Sequence, residues 1–232
     1  MTSRSRIVGG QILLAALVVL GLAARSATLT SADISLNEHV AAWRDPALTT
    51  LAKAATFAAQ AAVGVAAALL LPAVLWLLRR RQDAVRVLFT LGGAMAIGYA
   101  VKIAVSEKRP PQRLWVIAPD SVQSFPSGHT TIAVALAVSL VLLVGSSLRL
   151  PAILVGMAFA ATVAGARVYL GVHYLPDVIG GLLAATSAAL LVSGVMQLPV
   201  ARRHLDTLER GGPAHAAHAN GSHISVRSAV QR

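Results

Sequence analysis

The sequence predicts an all-α protein, a bundle of six transmembrane helices. Of its 232 residues, 56% are hydrophobic and only 12% are charged, whereas a typical soluble domain carries roughly 25% charged residues. Six charge-free stretches are long enough, or nearly so, to cross a hydrocarbon core about 30 Å thick. Arginines fall in short clusters between these stretches, which is the pattern of residues that orient membrane helices.

The predicted spans cover residues 7–24, 54–78, 87–101, 130–148, 150–166 and 178–201. The third is short for a span unless its helix continues past Lys102. The first has an alternative interpretation as a cleaved signal peptide, because Arg4 and Arg6 precede a short apolar core. A retained helix is favoured because an even number of spans places the basic clusters on one side.

Charge distribution predicts the topology. With the N-terminus in the cytoplasm, all inner segments are basic and obey the positive-inside rule; their arginines are Arg4, Arg6, Arg79, Arg80, Arg81, Arg86, Arg149, Arg202, Arg203 and Arg210. We therefore expect a multi-pass protein of the inner (plasma) membrane with both termini cytoplasmic. Residues 1–203 form the predicted membrane domain. Residues 204–232, rich in Gly, Ala, Ser and His, are predicted to be a disordered cytoplasmic tail.

Two longer segments lie on the predicted outer side. Residues 25–53 are expected to form an amphipathic piece on the outer interface, with Trp43 at that level and Pro46 interrupting any single helix. Residues 102–129 contain four prolines and are expected to form a structured loop.

Composition also excludes several classes of function. The formal net charge of +11 raises the possibility of nucleic-acid binding, but the basic residues do not form one stripe, and we expect no nucleic-acid partner. Without cysteine there is no disulfide, thiolate metal site or cysteine nucleophile. The histidines of the tail, His204, His215, His218 and His223, are too irregularly spaced to predict a metal site.

The remaining polar residues converge on the outer face of the predicted bundle, at the ends of four helices. They are Lys102, Arg109, Ser127, Gly128, His129, Arg167, His173 and Asp177. Charged groups at this depth are costly unless they are paired or functional. Taken singly, each has a structural interpretation, such as a snorkelling cation or a helix cap. None of these interpretations explains the convergence.

This set of side chains suits an oxyanion. Three cations, a serine hydroxyl and a helix N-terminus form an anion cradle. Nine Asp and Glu residues, spread singly, provide no cluster able to hold two metal ions, so we expect no metal ion in the site. Two histidines then remain for nucleophilic attack and for protonation of the leaving oxygen. Asp177, four residues after His173, can hold the second nitrogen of that ring.

The same residues resemble the type 2 phosphatidic acid phosphatase (PAP2) superfamily, whose signature has three parts. K-x6-RP matches "KIAVSEKRP" at residues 102–110, and PSGH matches residues 126–129. SR-x5-H-x3-D matches "ARVYLGVHYLPD" at residues 166–177, except that Ala166 replaces the serine. This resemblance spans about residues 34–200 and implies the helical PAP2/haloperoxidase fold, with the active site at the extracytoplasmic surface.

The resemblance also implies a role for each residue. His173 would be the nucleophile that becomes phosphohistidine, Asp177 would orient it, and His129 would be the general acid. Phosphate would be bound by Lys102, Arg109, Ser127, Gly128 and Arg167. Lys108, Arg113 and Trp115 lie outside the strict motif and are possible headgroup contacts.

Membrane members of this family act on lipid phosphates such as phosphatidic acid, phosphatidylglycerol phosphate and undecaprenyl diphosphate. The resemblance therefore implies a metal-independent hydrolase that needs no cofactor and whose partners are a lipid phosphate substrate and membrane lipids. Three alternatives remain: a lipid phosphotransferase, a vanadium haloperoxidase and a non-catalytic lipid-binding or transport protein. The six apolar spans argue against the haloperoxidase, because those relatives resemble soluble proteins.

Overall fold

The computed structural model describes residues 2–210 of the chain. Nine α-helices fall in that range: α1 Ser3–Ala24, α2 Ala27–Ala42, α3 Pro46–Phe57, α4 Ala61–Leu77, α5 Arg81–Val105, α6 Gly128–Leu143, α7 Arg149–Tyr169, α8 Leu175–Val195 and α9 Pro199–Arg210. Two short 3-10 turns, Gln112–Leu114 and Ser146–Leu148, complete the regular structure. No strand occurs within residues 2–210, and the predicted all-α fold is confirmed.

The helices that could span a membrane coincide with the predicted apolar stretches. Four of them, α1, α5, α7 and α8, are long and apolar enough to cross a bilayer. A fifth span is formed if α3 and α4, which meet at an angle of 41°, are taken together. Helix α6 is apolar but only 16 residues long, shorter than the roughly 20 residues of a typical span. The protein is therefore an integral membrane protein, and the count of six spans stays a prediction.

Two predicted segment boundaries are corrected. The apolar stretch 54–78 is not one helix, because α3 packs against α7 whereas α4 packs against α5, and the chain turns at residues 58–60 between these two partners. The predicted disordered tail does not begin at residue 204, because residues 204–210 belong to α9, where Leu205 is buried and the helix packs on α5. The remainder of that tail, residues 211–232, lies outside the described residues.

The segment between the first two spans contains the predicted break at Pro46. Helix α2 ends at Ala42, and α3 begins with Pro46 in its first turn. Asp45 caps α3, accepting hydrogen bonds from the backbone N–H groups of Ala47 at 2.8 Å and Leu48 at 3.0 Å. Proline suits this position because the first N–H groups of a helix have no intrahelical partner.

Helix α8 is the centre of the bundle, because it packs against α1, α5 and α6. Most of its buried residues are Gly, Ala or Ser, and small residues let neighbouring backbones approach closely. A Cβ atom on Gly181 would lie 2.8 Å from the Ser127 carbonyl oxygen and 3.0 Å from the Thr131 nitrogen. The absence of a side chain at Gly181 thus sets the distance between α8 and the start of α6.

Alternating helix directions bring one end of each helix to the same end of the bundle. The C-terminal ends of α5 and α7 meet the N-terminal ends of α6 and α8 there. Residues 106–127 connect α5 to α6 and cover this end, and residues 170–174 connect α7 to α8. All the polar motif residues lie on these four helix ends and two connections.

Substituting Gly181 with alanine should lower the thermal stability of the protein. The new Cβ would meet backbone atoms of α6, and overpacking of this kind costs about 1–3 kcal/mol. Gly165→Ala is the matched control, because Gly165 also lies inside a helix but an added Cβ there would have nothing within 4 Å. Both changes bring the same gain in helix propensity. Equal unfolding midpoints for the two variants in detergent would contradict this packing.

Candidate active site

The buried pair of His173 and Asp177 lies at the centre of the site. Nδ1 of His173 is 2.9 Å from Oδ2 of Asp177, and the two residues are 1% and 0% exposed. On its other side, Nε2 of His173 is 3.1 Å from Nη1 of Arg109. A guanidinium can only donate, so Nε2 must accept and the proton of a neutral ring must sit on Nδ1. The geometry therefore presents the lone pair of Nε2 toward Arg109.

The electrostatic surroundings keep this ring neutral. Burial lowers the pKa of His173 to about 3, although the hydrogen bond and charge of Asp177 raise it in part. Arg109 and Arg167 add to the lowering, because a second positive charge beside a cation is unfavourable. At neutral pH the ring is thus a neutral base with an available lone pair.

Asp177 also connects the segments around the histidine. Its Oδ2 atom accepts hydrogen bonds from the hydroxyl of Ser124 and from the backbone N–H of Tyr174, the latter at 2.9 Å. Its backbone carbonyl accepts from the N–H of Ser127 at 2.9 Å. One residue in the first turn of α8 thereby ties together both connections and the start of α6.

Two of the predicted cations hold the loop of residues 106–127 in place. Lys102 donates from Nζ to the carbonyl oxygens of Gln123 at 3.1 Å and Ser124 at 2.9 Å. Arg109 donates to the carbonyl oxygens of Ser121 at 2.7 Å and Val172 at 2.6 Å. Burial lowers the pKa of Arg109, and the charges of Asp177 and Asp120 oppose that effect.

Arg167 is the most completely buried cation, with 0% of its surface exposed. Its Nη2 atom donates to Oδ2 of Asp120 at 3.2 Å. Within residues 2–210, its Nε and Nη1 atoms are buried without a hydrogen-bond partner. An unpaired donor of this kind costs about 1–3 kcal/mol, and more for a charged group. Such a cost points to a ligand with several acceptor oxygens.

The motif of residues 126–129 opens helix α6, as the sequence predicts. Ser127 caps the helix, accepting from the N–H of Thr130 at 3.4 Å. A Cβ on Gly128 would have nothing within 4 Å, so the backbone there faces open space. His129 is buried in the first turn, with Nδ1 3.6 Å from Oδ2 of Asp120. Asp120 therefore touches both Arg167 and His129.

All eight sequence-predicted residues thus lie at one end of the bundle, on the expected helix ends. The three outside the strict motif are less central. Arg113 forms an exposed ion pair with Glu38, and Trp115 donates from its indole to the carbonyl of Pro110 at 2.9 Å. Lys108 is exposed and pairs through its backbone with Gln123.

Sequence reasoning missed a group of polar residues around the His173–Asp177 pair. They are Asp33, Asn37, Glu107, Asp120 and Ser124. Asn37, which is 0% exposed, donates to the carbonyl oxygen of His173 at 3.1 Å. The acids of this group could have been found from the sequence. The chain has only nine Asp and Glu residues, so an acid close to a motif residue is a candidate for a role in the site.

Glu107 is the most unusual of these residues. It is only 5% exposed, and the charge of the buried Asp177 carboxylate acts on its carboxyl group. Two carboxylates buried in one cluster are unfavourable when both are ionised. Burial, followed by the charge of Asp177, raises the pKa of Glu107 to about 9, and Lys102 only partly opposes the shift. Glu107 is therefore protonated at neutral pH.

A second acid faces the same cluster from α2. Burial and the charge of Asp177 raise the pKa of Asp33 to about 6. Despite these acids, no group of three or more His, Cys, Asp or Glu side chains is placed to hold a metal ion in the part of the chain that the structure describes.

Comparisons with known proteins identify the family and the fold of the chain. The family model of the PAP2 superfamily matches residues 83–199. One similar solved structure is that of the first transmembrane PAP2 type phosphatidylglycerolphosphate phosphatase from Bacillus subtilis, with a TM-score of 0.72 and 24% identity over 80% of this chain and 94% of that chain. LpxE from Aquifex aeolicus is also similar, with a TM-score of 0.54 and 20% identity over 69% of this chain and 94% of that chain. No curated protein sequence shows significant similarity.

The protonated state of Glu107 predicts how stability varies with pH. In the folded protein its pKa is about 9, against 4.5 for an unperturbed glutamate. Between these values the unfolded chain binds fewer protons, so the contribution of Glu107 to stability is full below pH 4.5 and is lost as pH rises toward 9. Glu107→Gln, which keeps a donor without a charge, should flatten this decline.

The measurement is the unfolding midpoint in detergent at several pH values from 5 to 9. Glu38→Gln is the control, because Glu38 is an exposed carboxyl outside the cluster, and this variant should decline as the unmodified protein does. An identical pH profile for Glu107→Gln and the unmodified protein would show that Glu107 is ionised across this range.

Proposed function

The chain belongs to the PAP2 superfamily, and on that premise we propose that it is an enzyme that hydrolyses a lipid phosphate monoester or diphosphate. Its fold is that of PAP2-type membrane phosphatases. The proposed reaction needs no metal ion and passes through a phosphohistidine.

One observation carries this proposal: the arrangement of His173 between an acid and a cation. Nδ1 is held by Asp177 at 2.9 Å, and the lone pair of Nε2 faces Arg109 at 3.1 Å. A phosphoryl group bound by Arg109 would present its phosphorus to that lone pair. Asp177 would then stabilise the positive charge that the ring acquires, as the carboxylate does in a catalytic triad.

The first step would transfer the phosphoryl group to the enzyme. A bond forms between Nε2 of His173 and phosphorus while the bond from phosphorus to the lipid oxygen breaks. The departing oxygen needs a proton, which we assign to His129 at the start of α6. The alcohol of the lipid leaves, and the phosphohistidine remains.

The second step would release inorganic phosphate. Water attacks phosphorus and the bond between phosphorus and Nε2 breaks. His129, neutral after the first step, accepts a proton from that water and is thereby restored as the acid. Asp120, 3.6 Å from Nδ1 of His129, is placed to stabilise its protonated form.

Five groups would bind the equatorial oxygens of the transferring phosphoryl group: Lys102, Arg109, Ser127, Gly128 and Arg167. Arg167 contributes two buried N–H groups that have no partner within residues 2–210. The N–H of Gly128 opens α6, where the helix dipole adds partial positive charge. Preorganised donors of this kind stabilise transition-state charge without reorganisation.

A lipid is the proposed substrate because the site lies at the end of a membrane-embedded bundle. A headgroup can reach the cradle there while its chains stay in the bilayer. The similar Bacillus subtilis protein is a phosphatidylglycerolphosphate phosphatase, and we infer a substrate of the same class.

Replacing His173 with alanine should lower phosphate release from a lipid phosphate monoester by at least about a thousandfold, because the nucleophile is lost. The matched control is His39→Ala, since His39 is exposed on α2 and its Nδ1 atom faces the carbonyl oxygen of Ser35 in the same helix. The assay measures inorganic phosphate from purified protein in detergent, with and without EDTA. Full activity of His173→Ala would refute the assigned nucleophile, and strong inhibition by EDTA would refute the metal-free reaction.

We further propose that the site faces the outside of the cell and both termini face the cytoplasm. The basic residues at the opposite end of the bundle support this orientation through the positive-inside rule. The chain lacks cysteine, so a single introduced cysteine provides the only thiol that a maleimide can label. Val122→Cys, at a position 86% exposed beside the site, should react with an impermeant maleimide on intact cells, whereas Ser147→Cys at the opposite end should react only after lysis. The reverse pattern would refute this orientation.

A further inference from the structure

A second polar cavity lies at the end of the bundle opposite the candidate active site. Its volume is about 680 Å³. It is bordered by the beginnings of α5 and α7, the ends of α6 and α8, and helices α1 and α9. None of the motif residues lines it, and the phosphatase chemistry makes no use of it.

The charges in this cavity are strongly unbalanced. Four different helices each contribute an arginine: Arg6 from α1, Arg86 from α5, Arg149 from α7 and Arg202 from α9. Among the lining side chains that the structure describes, Asp206 is the one carboxylate. Arg86 is also 3.2 Å from Asp83, which is shared with Arg80. Gathering guanidinium groups in this way is unfavourable unless an anion balances them.

An apolar groove adjoins the cavity. Its volume is about 440 Å³, and it runs between α5, α8 and α9. Val85, Phe89, Val192 and Val195 line it, and it shares Met196 and Leu205 with the cavity. Phe89 is 57% exposed and Val195 is 49% exposed, so the groove opens on the outer surface of the bundle, where the bilayer lies.

We propose that the cavity and the groove together bind one anionic phospholipid. Its phosphodiester headgroup would lie among the four arginines, and an acyl chain would lie along the groove. Planar guanidinium groups suit phosphate oxygens because they donate paired hydrogen bonds. Basic pockets between membrane helices are known to hold anionic headgroups. On the proposed orientation the lipid would come from the cytoplasmic leaflet.

The chain's own C-terminal residues fit this place poorly. Residues 210–232 contain no Asp or Glu, so their side chains cannot balance the arginines. A soluble phosphate would satisfy the charges but would leave the adjoining groove unexplained. Met196 and Leu205 line both the basic cavity and the apolar groove. A single molecule with an anionic headgroup and an apolar chain would therefore fit the two together.

The test titrates the full-length protein in a non-ionic detergent with dioctanoyl phosphatidylglycerol and follows bound lipid by native mass spectrometry. Arg86→Gln, Arg149→Gln and Arg202→Gln combined should weaken binding at least tenfold. The matched control combines Arg4→Gln, Arg79→Gln and Arg203→Gln, which remove the same charge from arginines outside the cavity lining. The control should retain its affinity, and both variants should retain phosphatase activity, because none of these residues lies near the motif.

Two further measurements separate a lipid from a free phosphate. Dioctanoyl phosphatidylcholine, which is zwitterionic, and glycerophosphoglycerol, which is the same phosphodiester headgroup without acyl chains, should each bind at least tenfold more weakly than phosphatidylglycerol. Val195→Trp, which fills the groove, should weaken lipid binding, whereas Val200→Trp, at an exposed position outside the groove, should not. If the control variant lost as much affinity for the lipid as the cavity variant, the effect would come from the general surface charge, and the proposal would be overturned. Tight binding of glycerophosphoglycerol that is lost in the triple variant of Arg86, Arg149 and Arg202 would overturn it in favour of a soluble ligand.

Discussion

The carboxylate of Asp177 is the constraint on which the functional end of this protein depends. It is fully buried, and a buried charge is tolerated only when it is paired and hydrogen-bonded. The partners of its Oδ2 atom come from the connection after α7, through His173 and Tyr174, and from the loop of residues 106–127, through Ser124. These bonds fix the His173 ring and hold the loop over the helix ends, while the backbone carbonyl of Asp177 holds the N–H of Ser127 at the start of α6. Glu107, neutral beside it, avoids the repulsion that a second carboxylate would cause.

The geometry of the candidate active site and the packing of the helix bundle are joined through α8. The helix carries Asp177 in its first turn, and its small residues further along admit α1, α5 and α6 at close range. Because Gly181 contacts the backbone of Ser127 and Thr131, the packing that holds the bundle together also places the N-terminus of α6 beside the histidine. A larger residue at Gly181 would therefore change both the packing of α8 against α6 and the position of the α6 N-terminus in the proposed anion site.

The sequence predicted the site better than it predicted the segments around it. Cations and histidines stand out in a chain of 56% hydrophobic composition, and alternating helices bring Lys102, Arg167 and Asp177 to one end. The turn at residues 58–60 could not be predicted from the sequence. The chain is apolar and rich in alanine both before and after this turn, so the composition does not change where the packing partner changes from α7 to α5. Glu107 and Asp120 were missed because residues 106–127 follow no periodicity. Their placement depends on hydrogen bonds from Lys102 and Arg109 to loop carbonyls, which form only after the helix ends have met.

The proposal that His173 is a nucleophile is tested most directly by trapping the covalent intermediate. Purified protein would be mixed briefly with a lipid phosphate monoester labelled with ³²P, quenched, and digested for mass spectrometry. We expect a phosphoryl label on His173 that is stable to alkali and lost in acid, and that does not appear in His173→Ala. A label on another residue, or steady hydrolysis by His173→Ala, would contradict it.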